Sequence, residues 1–493
     1  MLVDHTQFKG DATRYDLCII GAGACGITIA REFNGRNAKV ALVESGAFEP
    51  STVVHELYDG ETSGVREGYL MQTRLRLFGG TTNHWGGLCR PFDELDFKQR
   101  DWISHSVAWP FTRRELEPFY ERAAGVVELP PFFASGPPSS DLVDESCELS
   151  ALLFRFSPPT RFGSAYRQEL LDSDNVSVFL NCNAADLPLT DNKSGVESLK
   201  IVTNDRRTFH IRAKQFVLAT GGLENPRFLL NCNNDIEAGL GNHSDLVGRY
   251  FMSHAPVGGL GAVSFTGKHT ASIVERVVLK AADHTGQQPP RRYVRYVGIK
   301  EAVQRRLGLL NQGFAFWRAI EDLPEDLQRF VDVSGAFSKF HSGDGTSATF
   351  GLTSVAEQSP NPNSRVSLAD ERDFTGMRKI KFDFRTNPLD RESVAKSIEF
   401  LATELGRLGL GRVRFDIDDP VDLPFNPDDH HMGTTRMHED PKLGVVDVNA
   451  KVHGLRNLFV TGGSVFPSGG FANPTITMVA VALRLADHLK GIV

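Results

Sequence analysis

A glycine-rich turn between two short apolar segments near the N-terminus constrains the fold of this chain more than any other feature. Residues 15–20 are apolar apart from Asp16 and run into Gly21-Ala-Gly-Ala-Cys-Gly26, which is followed by a helical pattern over residues 27–34. A second apolar segment, residues 39–43, ends at Glu44. The order strand, turn, helix and strand predicts a βαβ unit, because parallel neighbouring strands need such a crossover. We therefore expect an α/β fold with a parallel sheet.

The three glycines of this turn have the spacing of a dinucleotide-binding motif. Gly21 permits the tight turn, Gly23 lets a pyrophosphate approach the backbone, and Gly26 lets the helix pack closely on the strand. Glu44 stands where its carboxylate can accept hydrogen bonds from both hydroxyls of a ribose. Glycine also suits any tight turn, but the strands, the helix and the acidic residue around it favour a nucleotide, either NAD or FAD.

Two distant segments bear on the choice of nucleotide. Residues 216–222 and residues 458–470 each read as a strand that ends in small residues, so each lets more backbone approach the nucleotide. A chain that returns twice to its first βαβ unit is typical of FAD-containing oxidoreductases. Asn473 and Pro474 then suit the cap and the first position of a helix over residues 475–489. The N-terminus of that helix would place partial positive charge beside a flavin.

The segment His430-His431-Met432-Gly433-Thr434 is the candidate for catalysis. A histidine can take a hydroxyl proton while a flavin takes the hydride from the same carbon. On the residues alone, surface or capping histidines are the alternative reading. A metal site is not predicted, because the histidines of this region lack the spacing of metal ligands.

Composition excludes several other classes of protein. The 493 residues include 54 Lys+Arg and 61 Asp+Glu, a net charge of −7, whereas a nucleic-acid binder shows a basic excess. No window reaches the ~18 apolar residues of a membrane span, and the polar residues 1–13 do not resemble a signal peptide. The six cysteines form no C-x-x-C pair and predict reduced, buried thiols. We expect a cytoplasmic protein that binds neither nucleic acid nor membrane.

Taken together, the motifs resemble those of the glucose–methanol–choline (GMC) oxidoreductases. Besides the nucleotide turn, the resemblance includes Gly79-Gly-Thr-Thr82, Pro360-Asn-Pro-Asn-Ser-Arg-Val366, the His430-x-x-Gly-Thr segment and Asn473-Pro-Thr475. It covers essentially the whole chain. The resemblance implies an enzyme that binds FAD and oxidises an alcohol or a sugar by removing a hydride and a proton.

The resemblance also implies roles for individual residues. His430 would be the base, and Asn473 would hydrogen-bond the substrate oxygen, while the role of His431 is open. The backbone of Ala184 should meet the adenine. The cofactor-binding residues expected from the motifs and the resemblance are Gly21, Gly23, Ala24, Gly26, Glu44, Gly80, Thr81, Asn83, His84, Trp85, Ala184, Ala219, Thr220, Gly221, Gly463, Asn473, Pro474 and Thr475.

Two departures from the usual GMC pattern matter. After Gly-Gly-x-x-x stand His84 and Trp85, which look like the motif of pyranose 2-oxidases, where the histidine is bonded covalently to the flavin. His84 is therefore a candidate for a flavin linkage; the alternative is that it packs beside a non-covalent flavin, because Asn83 and the glycines after Trp85 differ from that pattern. In addition, Gly463 stands where many members have an acidic residue, which leaves a backbone contact.

We expect a Rossmann-like FAD-binding domain built from residues 1–255 and 421–493, and an α+β substrate-binding domain with an antiparallel sheet over residues 256–420. The predicted reaction is oxidation of a secondary hydroxyl of a sugar or glycoside, with O₂ or a quinone as the electron acceptor. One alternative is a hydrophobic or natural-product alcohol, which aromatic residues such as Phe314, Phe316 and Trp317 would suit. Another is a non-oxidative flavoenzyme on the same fold.

Overall fold

A computed structural model describes residues 1–3, 14–133, 146–265, 278–279, 293–317, 349–415 and 419–493. The helices of these residues are α1 (Ala24–Phe33), α2 (Thr52–His55), α3 (Tyr69–Gln72), α4 (Arg113–Val126), α5 (Phe162–Ala165), α6 (Arg167–Leu171), α7 (Glu224–Asn231), α8 (Glu301–Leu307), α9 (Pro388–Arg407) and α10 (Thr475–Lys490). The 3₁₀ turns are Glu56–Tyr58, Gly80–Asn83, Glu94–Phe97, Pro420–Asp422 and Gly463–Val465. Across these described segments, no helix has both the length and the apolar run needed to cross a bilayer.

The strands belong to three sheets. They are β1 (Arg14–Ile20), β2 (Val40–Val43), β3 (Gly60–Ser63), β4 (Leu88–Cys89), β5 (Leu149–Phe156), β6 (Val176–Phe179), β7 (Cys182–Asp186), β8 (Ser198–Thr203), β9 (Thr208–Leu218), β10 (His254–Phe265), β11 (Val278–Leu279), β12 (Tyr293–Ile299), β13 (Gln312–Trp317), β14 (Thr349–Glu357), β15 (Arg365–Arg372), β16 (Arg378–Asp383), β17 (Gly411–Arg414) and β18 (Leu458–Val460).

The first sheet is the Rossmann-like part of the fold. Its strand order is β6-β2-β1-β9-β8-β7, and β18 also pairs with β9. The strand β9 is parallel to β1 and to β18, with Phe216 opposite Leu458 and Leu218 opposite Val460. Because the carboxyl ends of parallel strands share one edge, the turns after β1, β9 and β18 lie side by side. The three predicted nucleotide segments therefore meet in space, as expected.

Two predicted elements of this sheet layer differ from the structure in extent. The helix α1 begins at Ala24 rather than at residue 27, because Gly23 is extended (φ −83°, ψ −167°) and caps it. The C=O of Gly23 accepts the first helical hydrogen bond from the N–H of Ile27 at 2.9 Å. The strand predicted from residue 216 begins earlier, at Thr208, because the alternation of buried and exposed residues in β9 starts there.

The second sheet is antiparallel along its main path, β17-β10-β14-β13-β12-β5-β4, with β11 beside β13. The long helix α9 covers it, and its side chains Val394, Ile398 and Leu401 share a buried core with Phe314 and Leu352 of the sheet. A helix packed on an antiparallel sheet confirms the α+β architecture that we expected beside the Rossmann-like sheet.

The predicted division of the chain at residues 256 and 420 remains a proposal. In two of the sheets, strands from the first predicted domain pair with strands from the second. The strands β4 and β5 lie within the segment assigned to FAD binding, yet they belong to the antiparallel sheet, where β5 pairs with β12. The strand β3 likewise pairs with β16 in the third sheet, of order β15-β16-β3. The polypeptide therefore passes between the two parts more often than the predicted boundaries imply.

The cysteines agree with the expectation from the sequence. All six lie within the described residues, are buried and take part in no disulfide. Burial raises the pKa of Cys25 to about 12, so this thiol stays protonated at neutral pH. It is therefore a small apolar side chain of the core and not a reactive thiolate.

Candidate active and cofactor site

A cavity of about 480 Å³ lies where β1, β9 and β18 end. Most of the residues that we expected to bind the cofactor line it, together with both candidate catalytic residues. These are Gly21, Gly23, Ala24, Glu44, Gly80, Thr81, His84, Trp85, Ala184, Ala219, Thr220, Gly221, His430, Gly463, Asn473, Pro474 and Thr475. Two expected cofactor residues, Gly26 and Asn83, are not part of the wall.

The glycine turns leave room where a dinucleotide needs it. A Cβ added at Gly23 or at Gly221 would meet no atom within 4 Å, so the backbone at both positions is open to the cavity. Gly21 and Gly221 have φ angles of 103° and 94°, which glycine adopts without strain. Ala24, at the start of α1, also lines the cavity, and a helix N-terminus favours an anion. These features fit the pyrophosphate of FAD.

Gly26 and Asn83 shape the site from behind its wall. A Cβ at Gly26 would lie 1.9 Å from the carbonyl oxygen of Gly21, so any side chain there would push α1 away from the turn. The amide Nδ2 of Asn83 donates to the carbonyl oxygens of Phe78 and Gly80, both at 3.0 Å. Both residues therefore hold the loops that carry the lining residues.

Glu44 is buried at the wall of the cavity, with 6% of its surface exposed. Its Oε2 accepts from the N–H of Ala22 at 2.8 Å, and its Oε1 accepts from the N–H of Gly46 at 2.9 Å. A carboxylate oxygen can accept more than one hydrogen bond. Each oxygen thus retains a lone pair for a ribose hydroxyl, which supports the predicted contact.

Asn225 connects two of the cofactor loops, and sequence reasoning missed it. Its Oδ1 accepts from the N–H and the hydroxyl of Thr220, at 2.9 and 2.7 Å. Its Nδ2 donates to the carbonyl oxygen of Thr461 at 3.0 Å and to Ser464 Oγ at 2.8 Å. The side chain is fully buried. It therefore holds the loop after β9 against the loop after β18, an arrangement that no local motif in the sequence signals.

A buried cluster of charged side chains forms another part of the wall, and sequence reasoning missed it as well. The Oε1 of Glu224 pairs with Arg74 at 2.9 Å, and its Oε2 pairs with Arg76 at 2.9 Å and Arg227 at 3.0 Å. Arg227 also pairs with Asp373. Burial alone would raise the pKa of Glu224, but the three arginines together lower it to about 2. Arg74 and Arg76 line the cavity, and their positive charge suits a cofactor that carries phosphates.

His430 and Asn473 meet at the wall of the cavity although 43 residues separate them. The Nδ2 of Asn473 lies 3.3 Å from the Nε2 of His430. Burial lowers the pKa of His430 to about 4, so the ring is neutral at pH 7 and can accept a proton. The loop that carries His430 is fixed by Gly433, whose N–H donates to the carbonyl oxygen of Gly463 at 3.1 Å.

The expectation that Asn473 caps the last helix is wrong. The helix α10 begins at Thr475, and Pro474 is its cap residue, with φ −77° and ψ −14°. The C=O of Pro474 accepts the first helical hydrogen bond from the N–H of Met478 at 2.8 Å. Asn473 therefore stands one position before the cap, and its side chain contacts His430 instead of the helix.

His84 and Trp85 follow the 3₁₀ turn Gly80–Asn83. The indole Nε1 of Trp85 donates to the carbonyl oxygen of Thr160 at 2.9 Å, and Arg161 donates to the carbonyl oxygen of Trp85 at 2.6 Å. Trp85 is thus anchored at both its ring and its backbone. His84 lines the cavity and is exposed.

The remaining candidates have different surroundings. His431 packs against Tyr69 and Phe251, with ring centroids 5.7 and 5.9 Å away. Phe314 and Phe316 are fully buried between α9 and the antiparallel sheet. They therefore do not line the cavity and give no support to a hydrophobic substrate pocket; the side chain of Trp317 lies outside the described residues.

Known proteins are similar to this chain along most of its length. It is 24% identical to paromamine 6'-oxidase from Streptomyces fradiae, over 99% of this chain and 93% of that protein. It is 26% identical to the fructose dehydrogenase large subunit from Gluconobacter japonicus, over 61% of this chain but only 51% of that protein. The structure of formate oxidase from Aspergillus oryzae RIB40 is similar, with a TM-score of 0.59 at 17% identity, over 98% of this chain and 99% of that chain.

The family comparison agrees with the motifs and the fold. Residues 360–482, which include His430 and Asn473, match the model described as GMC oxidoreductase. The solved structure adds the same overall fold. Together with a cavity that fits FAD, these findings show that residues 360–482 match the GMC oxidoreductases and that the chain is an FAD-dependent oxidoreductase similar to enzymes that act on alcohol groups.

Proposed function

We propose that this protein oxidises a hydroxyl group of a sugar or glycoside, with His430 as the base and Asn473 as the residue that holds the substrate oxygen. The observation that carries the proposal is the contact between His430 Nε2 and Asn473 Nδ2, 3.3 Å apart at the wall of the cavity. Bound FAD supplies the acceptor for the hydride that leaves the same carbon.

The chemistry follows from the charge state of His430. Because burial keeps the ring neutral at pH 7, it can take the hydroxyl proton as the carbon loses its hydride. The amide of Asn473 can donate to the same oxygen and stabilise the negative charge that develops there. The substrate loses two electrons and two hydrogens in this step and becomes a carbonyl compound. O₂ or a quinone would then reoxidise the cofactor.

The names of the relatives support a carbohydrate substrate. One relative is called paromamine 6'-oxidase, and another is called fructose dehydrogenase large subunit. The competing proposal, a hydrophobic alcohol, loses its main support because Phe314 and Phe316 lie in the core. A secondary hydroxyl is our preferred target, and the product distinguishes it from a primary one, since a ketone forms in the first case and an aldehyde in the second.

Anaerobic mixing with a substrate panel tests the proposed function. The FAD-loaded protein is mixed with free sugars, glycosides, amino sugars and aryl alcohols, and the loss of the yellow flavin absorbance is followed. We expect loss of colour with at least one carbohydrate. Loss of colour with aryl alcohols alone would overturn the choice of substrate class. A flavin that stays yellow with every alcohol would favour a non-oxidative flavoenzyme.

The mode of flavin attachment gives a second prediction. We expect acid precipitation to release all FAD into the supernatant, because His84 is exposed and no described contact holds its ring in one orientation. The measurement is the colour of the washed pellet. A yellow pellet from the natural protein, together with a colourless pellet from His84→Ala, would show that the linkage at His84 exists.

A further inference from the structure

The two ring nitrogens of His430 have different surroundings. Asn473 Nδ2 approaches Nε2 at 3.3 Å, whereas Nδ1 is buried and has no hydrogen-bond partner among the described residues. An amide nitrogen donates and does not accept. Nε2 is therefore the accepting nitrogen of the neutral ring, and Nδ1 carries the proton. A buried N–H needs an acceptor.

The carboxylate of Asp428 faces this nitrogen. Its Oδ2 lies 3.7 Å from His430 Nδ1, which is a little longer than a hydrogen bond. A bare lone pair on Nδ1 would face the negative oxygen and be repelled, whereas an N–H is attracted to it. The charge beside the ring thus favours the same tautomer as the amide of Asn473, from the opposite side of the ring.

The backbone of Asp428 is fixed at both its polar groups. Its N–H donates to the carbonyl oxygen of His254 at 2.9 Å. Its carbonyl oxygen accepts from the hydroxyl of Tyr69 at 2.8 Å and from Ser253 Oγ at 2.9 Å. Tyr69, Ser253 and His254 are all buried. Three buried anchors therefore hold the position from which the carboxylate reaches His430.

The other described titratable groups around His430 are either neutral or paired elsewhere. Asp428 is therefore the acidic side chain that faces the ring. The ring of His254 lies with its centroid 4.8 Å away and has Nε2 3.1 Å from the carbonyl oxygen of Gly469. Burial, and then His430, lower the pKa of His254 to about 3, so this ring is neutral. Burial, and then Arg74 and His430, also lower the pKa of His431. Asp429 pairs with Arg66 at 3.4 Å.

We propose that Asp428 is a positioning residue, which keeps the ring proton of His430 on Nδ1 so that the basic lone pair on Nε2 faces Asn473 and the substrate hydroxyl. The hydroxyl proton moves to Nε2, the ring becomes an imidazolium, and the side chain of Asp428 lies beside it at Nδ1. The proposal rests on the proposed function, in which His430 is the base.

Histidine nitrogen NMR tests the tautomer directly. The FAD-loaded protein is labelled with ¹⁵N in its 15 histidines, and long-range proton–nitrogen spectra are recorded at neutral pH. The signals that vanish in His430→Gln identify the ring. We expect the Nδ1–H form in the natural protein and a loss of that preference in Asp428→Asn. The Nε2–H form in the natural protein would overturn the proposal.

Kinetics provides the second readout, with Asp429→Asn as the matched control. In Asp428→Asn we expect flavin reduction at saturating substrate to slow by about 10- to 100-fold, less than the full effect of a general base. Substrate affinity should change little. The acid limb of the pH profile should move to lower pH, because the imidazolium loses its counter-charge. Asp429→Asn should behave like the natural protein, and FAD content and thermal midpoint should match in all variants.

The outcomes separate this proposal from the proposed function. If His430→Ala abolishes flavin reduction while Asp428→Asn matches Asp429→Asn in rate, tautomer and pH profile, the role of Asp428 is wrong and the role of His430 stands. If His430→Ala reduces its flavin at the natural rate, the proposed function fails, whatever the tautomer.

Discussion

The variant His430→Ala should keep its FAD and reduce it about 10²–10⁴-fold more slowly, which is the usual contribution of a general base. The cofactor should remain because the glycine turns, Glu44 and the arginines around Glu224 do not depend on His430. Stopped-flow absorbance under anaerobic conditions measures the rate. In the natural protein the rate should stay level from pH 8 down to about pH 5 and then fall, because His430, with a pKa of about 4, becomes protonated.

His438→Ala is the matched control for this experiment. His438 lies in the same segment, but its Nδ1 accepts from the N–H of Asp440 at 2.9 Å in a surface turn. This variant should reduce its flavin at the natural rate. Equal rates for His430→Ala and His438→Ala would show that another group takes the proton.

The variant Glu224→Gln should lower the free energy of unfolding by about 3–5 kcal/mol, because it leaves three buried arginines around a neutral amide. The side chain of Glu224 is 8% exposed, so water cannot replace the lost charge. Denaturant unfolding of the FAD-loaded protein, followed by far-UV circular dichroism, measures the shift in midpoint. Glu301→Gln, which removes a half-exposed pair with Lys98 at 3.4 Å, should shift the midpoint little.

Acid provides a further check on Glu224. Its folded pKa of about 2 lies below the ordinary value of 4.5, so its contribution to stability is complete above about pH 4.5. The contribution is then lost as the pH falls towards 2, because protonation removes the charge that the arginines need. The difference in stability between the natural protein and Glu224→Gln should therefore shrink over this range. A difference that is independent of pH would contradict the role of the charge.

Local patterns in the sequence were sufficient for the nucleotide turn. The three glycines and the acidic residue after the second strand lie close together in the sequence. Their relative positions follow from the geometry of a single βαβ unit. The resemblance to a family then predicted His430 and Asn473, which the structure brings within 3.3 Å of each other. Spacing alone could not have predicted that contact, because it depends on the packing of two loops 43 residues apart.

The residues that were missed lack a local signature. Arg74, Arg76 and Glu224 are polar residues whose burial arises only when α7 packs beside the segment before Gly79. Asn225 likewise bonds two loops that are adjacent only in the folded sheet. The error at Asn473 has a similar cause. Asn before Pro is a good cap by propensity, but here the side chain of Asn473 contacts His430, which is distant in the sequence.

The position of β18 beside β9 also has a consequence for the order in which the protein matures. The three-residue strand β18 completes an edge begun by residues 14–20, so those contacts form only after the segment between them has been synthesised. Pairings between distant segments are slow to form. A nascent chain that stops short of residue 458 would expose the apolar flank of β9, a site for association with other chains. Capture of the cofactor should therefore be among the last events of folding, and a shortage of FAD should leave the newly made protein prone to aggregation.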